Sequence, residues 1–115
     1  MKTIRKGQQY KCKQDIFYVN NYELISENGT QKLDGYLSET EIKAAIIELK
    51  KVLLYPQVKA GEILTVVYAE NYYGDYLSKD GDTIRPDEDG EINCVEFDGE
   101  KIFMNFPFFK FFEEV

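Results

Sequence analysis

Residues 89–106, DGEINCVEFDGEKIFMNF, decide the fold more than any other stretch of this chain. Two runs rich in β-branched and aromatic side chains, 92–97 and 101–106, are separated by Asp98-Gly99, and Asp89-Gly90 precedes the first run. Asp-Gly between two such runs is typical of a tight β-hairpin, because glycine readily adopts the positive φ that the turn requires. The stretch therefore predicts a pair of antiparallel strands.

The same alternation of short strands and turns extends toward both ends of the chain. Asn28-Gly29 favours a type I′ turn, so the run 22–26 should pair with 30–33. Pro107 cannot sit in a central strand, so we expect a turn at 107–110 and a final edge strand at 111–115. High β propensity predicts further strands at 9–13, 16–19, 61–69, 76–77 and 83–84.

One segment, residues 38–54, has the pattern of an amphipathic helix. Ser38-Glu39-Thr40-Glu41 matches a capping box, in which the serine oxygen accepts from the Glu41 N–H and the Glu41 side chain reaches back. Apolar side chains follow at helical spacing, and Pro56 marks the end because proline pushes the residue before it out of the α region. We expect this helix to pack on the sheet.

Three segments resemble parts of SH3-like barrels. In two segments a lysine and a glycine lie at the start of a predicted strand: RKGQQYKC (5–12) and VKAGEILTV (58–66). The third is the C-terminal segment FMNFPFFKFFEEV (103–115). Together these resemble the first strand and the 3₁₀-plus-last-strand ending of the small SH3-like proteins of phage and mobile-element accessory genes. The resemblance implies a barrel-like fold, but the chain has no tryptophan, so the proline-rich ligands of SH3 domains do not carry over.

The expected fold is therefore α+β: an antiparallel β-meander forming a partly open SH3-like barrel, with one amphipathic helix at about 38–54. A chain of 115 residues fits a single domain, 1–115. No run of 18 apolar residues and no apolar leader is present, which predicts a soluble, cytoplasmic protein. Cys12 and Cys94 lie far apart without a CxxC partner, so we expect two free thiols.

Acidic residues are concentrated in one stretch. Nine of the 21 carboxylates lie between Asp80 and Glu100, and Arg85 is the one cation there, so this stretch carries −8 against −7 for the whole chain. Charge of one sign on one face attracts cationic partners and repels nucleic acid and anionic membranes. We expect the acids at 87, 88, 89 and 91 to lie exposed on one hairpin, without partners in the chain. Solvation of a surface hairpin is the alternative interpretation.

Tyrosines crowd the turn just before these acids. Tyr68, Tyr72, Tyr73 and Tyr76 fall within nine residues. Aromatic anchors beside complementary charge give protein interfaces both affinity and fast association, although such tyrosines also serve as cross-strand packing pairs. The candidate partner-binding residues are Tyr72, Tyr73, Tyr76, Asp80, Asp82, Asp87, Glu88, Asp89 and Glu91.

Most catalytic chemistry is disfavoured. The chain has no histidine, which removes the usual general base and most zinc and haem ligation. Gly81, Gly90 and Gly99 each follow an aspartate, so their turns would repel a phosphate group. Exposed carboxylates also lack the burial that raises the pKa of a general acid. We therefore predict a protein that is not an enzyme and has no cofactor.

The acidic stretch aligns only partly with a calcium-binding EF-hand loop. With Gly90 at position 6, Asp87, Asp89 and Glu96 occupy positions 3, 5 and 12. Position 1 is then Arg85, where a carboxylate is required, and the flanks are predicted strands instead of helices. No metal site is predicted, although a low-affinity cation site among these acids stays an alternative.

Direct nucleic-acid binding is disfavoured by the net charge of −7. Five cations nevertheless precede any acid in the chain, and Tyr10 lies among them. They could touch a phosphate backbone, or pair with the acids at 80–100 if the two segments are neighbours. These cations are Lys2, Arg5, Lys6, Lys11 and Lys13.

The leading hypothesis is a non-catalytic interaction module, encoded by a phage or mobile element, whose acidic and tyrosine-rich face binds a basic surface of a partner protein. Mimicry of DNA against a nucleic-acid-binding groove is a special case of it. The alternative is a structural or assembly subunit that oligomerises through its Phe-rich C-terminus, since Phe108, Phe109, Phe111 and Phe112 in one strand would point to both faces. The sequence leaves the oligomeric state open.

Overall fold

A computed structural model describes residues 2–26, 29–38, 40 and 57–115, with the backbone alone at 19–26 and 29–34. The chain divides into two compact units, Met1–Lys13 with Ala60–Val115, and Gln14–Lys59. We call them unit 1 and unit 2 and describe each by itself. The expected single domain stays a prediction.

Nine strands and one short helix make up the described part of the chain. In chain order they are β1 (Ile4–Arg5), β2 (Gln9–Cys12), β3 (Phe17–Ser26), β4 (Gly29–Leu37), β5 (Ile63–Glu70), β6 (Thr83–Ile84), β7 (Glu91–Phe97), β8 (Lys101–Pro107), α1 (Phe108–Phe111) and β9 (Phe112–Glu114).

Unit 1 is built on a five-stranded antiparallel sheet in the order β8-β7-β5-β2-β9, with β1 and β6 paired beside it as a two-stranded ribbon. The Asp98-Gly99 hairpin is confirmed, since Phe97 lies opposite Lys101 and the ladder runs to Glu91 opposite Pro107. Gly99 has a φ of 76°, the left-handed conformation that favours glycine in tight turns. Local turn chemistry therefore sets the register of this hairpin.

Phenylalanines fill the core of unit 1. Phe97 and Phe106 are fully buried, and the rings of Phe106 and Phe103 stack with centroids 4.8 Å apart. Phe103 and Phe106 would point to opposite faces of a regular strand. Asn105, at a φ of 52°, breaks that alternation, so both rings turn inward.

The Phe-rich C-terminus is part of the same core. Pro107 ends β8, and one helical turn, α1, carries the chain to β9, where we predicted a turn and an edge strand. Phe108 and Phe111 of this turn and Phe112 of β9 are completely buried, whereas Phe109 is half-buried. The four side chains do not alternate across one strand, because α1 places the first three of them by helical geometry.

Unit 2 contains the hairpin of β3 and β4. Tyr22 lies opposite Leu33 and Ile25 opposite Thr30, which confirms the predicted pairing of 22–26 with 30–33. The dipeptide Asn20-Asn21 predicts a tight turn between the runs 16–19 and 22–26. That prediction is wrong, because β3 continues through both residues with a register shift between Val19 and Tyr22. A bulge of this kind absorbs an extra residue without ending the strand.

The predicted α+β fold, an SH3-like partly open barrel with one amphipathic helix, is wrong. The structure is mostly β, with several antiparallel sheets, no closed barrel and, in its described residues, no helix of seven or more. The sheet stays open because β9 pairs with β2, at the edge opposite β8. Of the segment predicted as a helix, 41–54 and residue 39 lie outside the described residues. The α part of the prediction depended on that local periodicity alone.

Candidate interaction surface

Asn71 organises the loop that carries the exposed tyrosines. Its side chain is buried, and its Oδ1 accepts hydrogen bonds from the backbone N–H groups of Tyr73 (3.0 Å) and Asp75 (2.9 Å). Its Nδ2 donates to the backbone carbonyl of Arg85 at 3.1 Å. One asparagine therefore ties residues 71–75 to the segment that leads into the acidic turn at 87–91.

Tyr72 and Tyr73 emerge from this loop with 45% and 58% of their surface exposed. The Tyr72 hydroxyl donates a hydrogen bond to Oδ1 of Asn105. Partial burial and the carboxylates of Glu91 and Asp87 raise the pKa of the Tyr72 phenol. The carboxylates of Glu91 and Asp87, two of the candidate acids, are thus near enough to act electrostatically on Tyr72.

The acidic turn differs from the expected array of unpartnered carboxylates. Oδ1 of Asp87 accepts from the backbone N–H groups of Asp89 (3.0 Å) and Glu91 (2.8 Å). Asp87 and Glu91 are half-buried, whereas Glu88 and Asp89 are exposed. The expectation that all four acids lack partners is wrong for Asp87, because an aspartate at the start of a tight turn is placed to accept from the N–H groups that follow it.

Asp87→Ala should lower the free energy of unfolding by about 1 kcal/mol, because two backbone N–H groups lose their acceptor. Asp87→Asn should cost much less, since the amide oxygen can accept the same two bonds while the charge is removed. Urea denaturation of both variants measures the difference. Equal stability of Asp87→Ala and the native protein would mean that Asp87 does not hold the turn.

A second acidic turn contains Asp80 and Asp82. Oδ2 of Asp82 accepts from the Ser78 hydroxyl (2.9 Å) and from the Lys79 backbone N–H (3.0 Å). The Ser78 bond, followed by the backbone bonds, lowers the pKa of Asp82. Asp80 is exposed at the tip. Asp82 is therefore a turn-capping residue, while Asp80 is available to solvent.

An open surface pocket of about 370 Å³ lies beside Tyr73 and the acidic turn. Two cations, Lys2 and Arg85, line it together with acids and aromatic rings, and the Lys2 ammonium lies 5.5 Å from the centroid of the Phe109 ring. An N-terminal cation is thus a neighbour of the acidic stretch. The surface here is mixed in sign and not uniformly negative. Its lining consists of Lys2, Tyr73, Arg85, Pro86, Asp87, Glu88 and Phe109.

Tyr76 lies beside β5. It is 59% exposed and forms a single antiparallel bridge with Glu70 of β5. The Tyr68 hydroxyl donates to Oε2 of Glu70 at 2.9 Å, and Nδ2 of Asn93 donates to its Oε1 at 3.0 Å. Sequence reasoning did not select Glu70, although its position two residues after Tyr68 in a strand places both on one face.

The structure therefore brings together Tyr72, Tyr73 and the turn at 87–91, whereas Asp80 and Asp82 lie on their own turn and Tyr76 lies with Glu70. The chain matches no protein-family model, no curated protein and no solved structure.

The described residues were also compared with the requirements of a metal site and of a membrane-spanning helix. In residues 2–26, 29–38, 40 and 57–115, no three His, Cys, Asp or Glu side chains are grouped so that they could hold a metal ion. Within those ranges, no helix is both long enough and apolar enough to cross a membrane.

Proposed function

We propose that the protein is a non-catalytic interaction module, encoded by a phage or mobile element and acting in the cytoplasm, that binds a basic surface of a partner protein. The observation that carries the proposal is the exposure of Tyr72 and Tyr73 beside the acidic turn. Tyrosine buries a large, rigid area on binding at a low cost in conformational entropy. Neighbouring carboxylates would supply attraction for a basic partner.

Three acids of the candidate set are available to a partner, two of them on the turn at 87–91 and the third, Asp80, on its own turn. In the described part of the chain, the carboxylates of Asp80, Glu88 and Asp89 make no hydrogen bond or ion pair, and all three are exposed. Exposed, unpaired carboxylates act mainly through the electrostatic field and speed up association. Asp82 and Asp87 act instead by holding the turns in shape.

Mimicry of DNA is the special case that the geometry favours less. A groove that binds nucleic acid is complementary to a regular array of negative charge. Here Lys2 and Arg85 line the same pocket as Asp87 and Glu88, so a protein partner with a local basic patch fits the surface better.

The alternative, assembly through the Phe-rich C-terminus, has lost the observation that motivated it. Phe108, Phe111 and Phe112 are fully buried inside unit 1, so their side chains are not available to another subunit. Assembly stays a prediction without a described surface to support it.

The experiment uses a variant that removes only unpaired acids. Asp80→Asn, Glu88→Gln and Asp89→Asn are combined, and a control removes three charges elsewhere on unit 1, by Glu100→Gln, Glu113→Gln and Glu114→Gln. Each protein is immobilised and exposed to a lysate of the native host at 50 and 500 mM salt, and the retained proteins are quantified by mass spectrometry.

We expect a partner that is retained at low salt by the native protein and by the control, and bound about tenfold more weakly by the triple variant, since exposed charge pairs contribute about 0.2–1 kcal/mol each. Tyr73→Ala should weaken binding of the same partner. Equal retention by the triple variant, or retention unaffected by salt, would contradict binding through the acidic surface.

A further inference from the structure

The outer face of the sheet in unit 1 carries a row of side chains that the register places side by side. Met104 lies opposite Cys94, Cys94 opposite Glu70, and Glu70 opposite Tyr76. Met104 is 50% exposed and Tyr76 59%. The row therefore crosses β8, β7 and β5 from an apolar end to an aromatic end, with a carboxylate between them.

A second row runs alongside the first. Ile102 lies opposite Glu96, and Glu96 lies opposite Tyr68. Residues two apart on a strand share a face, so both rows occupy one side of the sheet. The opposite side is the core, where Val95, Phe97 and Phe103 are buried.

The two carboxylates at the centre of this face differ in how they are held. Glu70 is fixed by its hydrogen bonds from Tyr68 and Asn93. Glu96 is half-buried and, among the described residues, its carboxylate makes no hydrogen bond or ion pair. Both lie close to the Cys94 thiol, whose pKa is raised by burial and then by Glu70 and Glu96. Two negative groups thus share a patch bordered by apolar and aromatic surface.

We propose that this face, formed by Tyr68, Glu70, Tyr76, Glu96, Ile102 and Met104, docks an extended basic segment of a partner protein and holds one of its lysine or arginine side chains between Glu70 and Glu96. The inference rests on the proposed function, because both require a basic partner. It differs in placing the anchor on the sheet face instead of at the acidic turn at 87–91.

The side chains of this face are complementary to a lysine or arginine side chain. A cation between Glu70 and Glu96 would be attracted by both carboxylates, and a neighbouring tyrosine ring adds attraction through its π face. The aliphatic stem of lysine or arginine can pack along apolar surface while its charged end reaches a carboxylate. Ile102, 54% exposed, and Met104 offer that surface.

A second copy of this chain fits the face poorly. Two such faces packed about a two-fold axis would bring carboxylates of both copies into the same buried region, and like charges in contact destabilise an interface. A wholly apolar segment would bury Glu96 without a partner, which is also unfavourable.

The test maps the binding of a defined probe on the 115-residue chain. The probe is a twelve-residue peptide alternating arginine and threonine, and the control peptide has glutamate in place of arginine. Amide and methyl NMR shifts are followed during titration at 50 mM salt. We expect the arginine peptide to shift Tyr68, Glu70, Glu96, Ile102 and Met104, and the glutamate peptide to shift none of them.

Matched variants separate this face from the acidic turn. Glu96→Gln should weaken binding of the arginine peptide about tenfold, as expected for loss of one charge-assisted contact. Tyr76→Ala should also weaken its binding. Glu88→Gln and Tyr73→Ala, which change the other surface by the same chemistry, should leave the affinity unchanged.

Shifts confined to Tyr73 and residues 87–91, with sensitivity to Glu88→Gln, would overturn the sheet-face site and leave the proposed function standing. Absence of saturable shifts with the arginine peptide would overturn the sheet-face site as well. In that case, the lysate experiment decides separately whether the acidic turn binds a partner.

Discussion

Phe108→Ala should strongly destabilise unit 1. Phe108 is fully buried, and its ring meets Tyr10 edge-on at 4.9 Å and Phe112 at 5.5 Å between centroids. Truncating a buried phenylalanine to alanine typically costs about 3–5 kcal/mol, through lost transfer energy and the cavity left behind. Since domains are stable by about 5–15 kcal/mol in total, the variant should melt at least about 10 °C lower.

Phe109→Ala provides the matched control, since Phe109 is the next residue on α1 and is half-buried. We expect a loss of about 1 kcal/mol or less, because part of the ring already contacts water. Thermal and urea unfolding followed by circular dichroism compares the two variants. If both lose the same stability, the C-terminal segment is not packed as α1 places it.

Asn71→Ala should have the second-largest effect and should act on both stability and binding. The substitution removes the acceptor of two backbone N–H groups, from Tyr73 and Asp75, and the donor to the carbonyl of Arg85. Buried polar groups left without partners cost about 1–3 kcal/mol, so we expect a loss of about 2–3 kcal/mol. The loop of Tyr72 and Tyr73 should also become mobile, because Asn71 fixes its ends.

The control is Asn93→Ala, which removes an asparagine side chain that makes one hydrogen bond within the described residues, to Glu70. This substitution should lower the free energy of unfolding by about 1 kcal/mol. Amide exchange at Tyr73 and Asp75 should accelerate in Asn71→Ala and stay unchanged in Asn93→Ala. A rigid 71–75 loop in Asn71→Ala would show that other contacts hold the tyrosines.

The candidate surface was only partly predictable from the chain. Exposed tyrosines beside acids were expected, and Tyr72, Tyr73 and Glu88 meet that expectation. The roles of Asp82 and Asp87 as turn caps were missed, because the sequence shows how many carboxylates a turn has but not which oxygen reaches a backbone N–H.

Hairpins were the most predictable part of the fold. Asp98-Gly99 set the β7–β8 pair, and Asn28-Gly29 predicted that 22–26 pairs with 30–33. The register of the second pair differs from the predicted turn, because Gly29 lies in β4 opposite Ser26. Both depend on residues adjacent in sequence, whose φ preferences limit the chain to a few turn types. A tight turn then places the residues on either side of it opposite each other.

Only the tertiary structure decided which distant residues share a face. Glu70 meets Cys94 and Tyr68 meets Glu96 through a ladder with a register shift between Val66 and Tyr68. A shift of one residue would send every later side chain of the strand to the other face. Such pairings depend on contacts between segments far apart in the chain, and the open order β8-β7-β5-β2-β9 depends on α1 carrying β9 to the far edge. For that reason, the acidic stretch could be predicted from composition. The position of Glu70 and Glu96 at the centre of the sheet face could not.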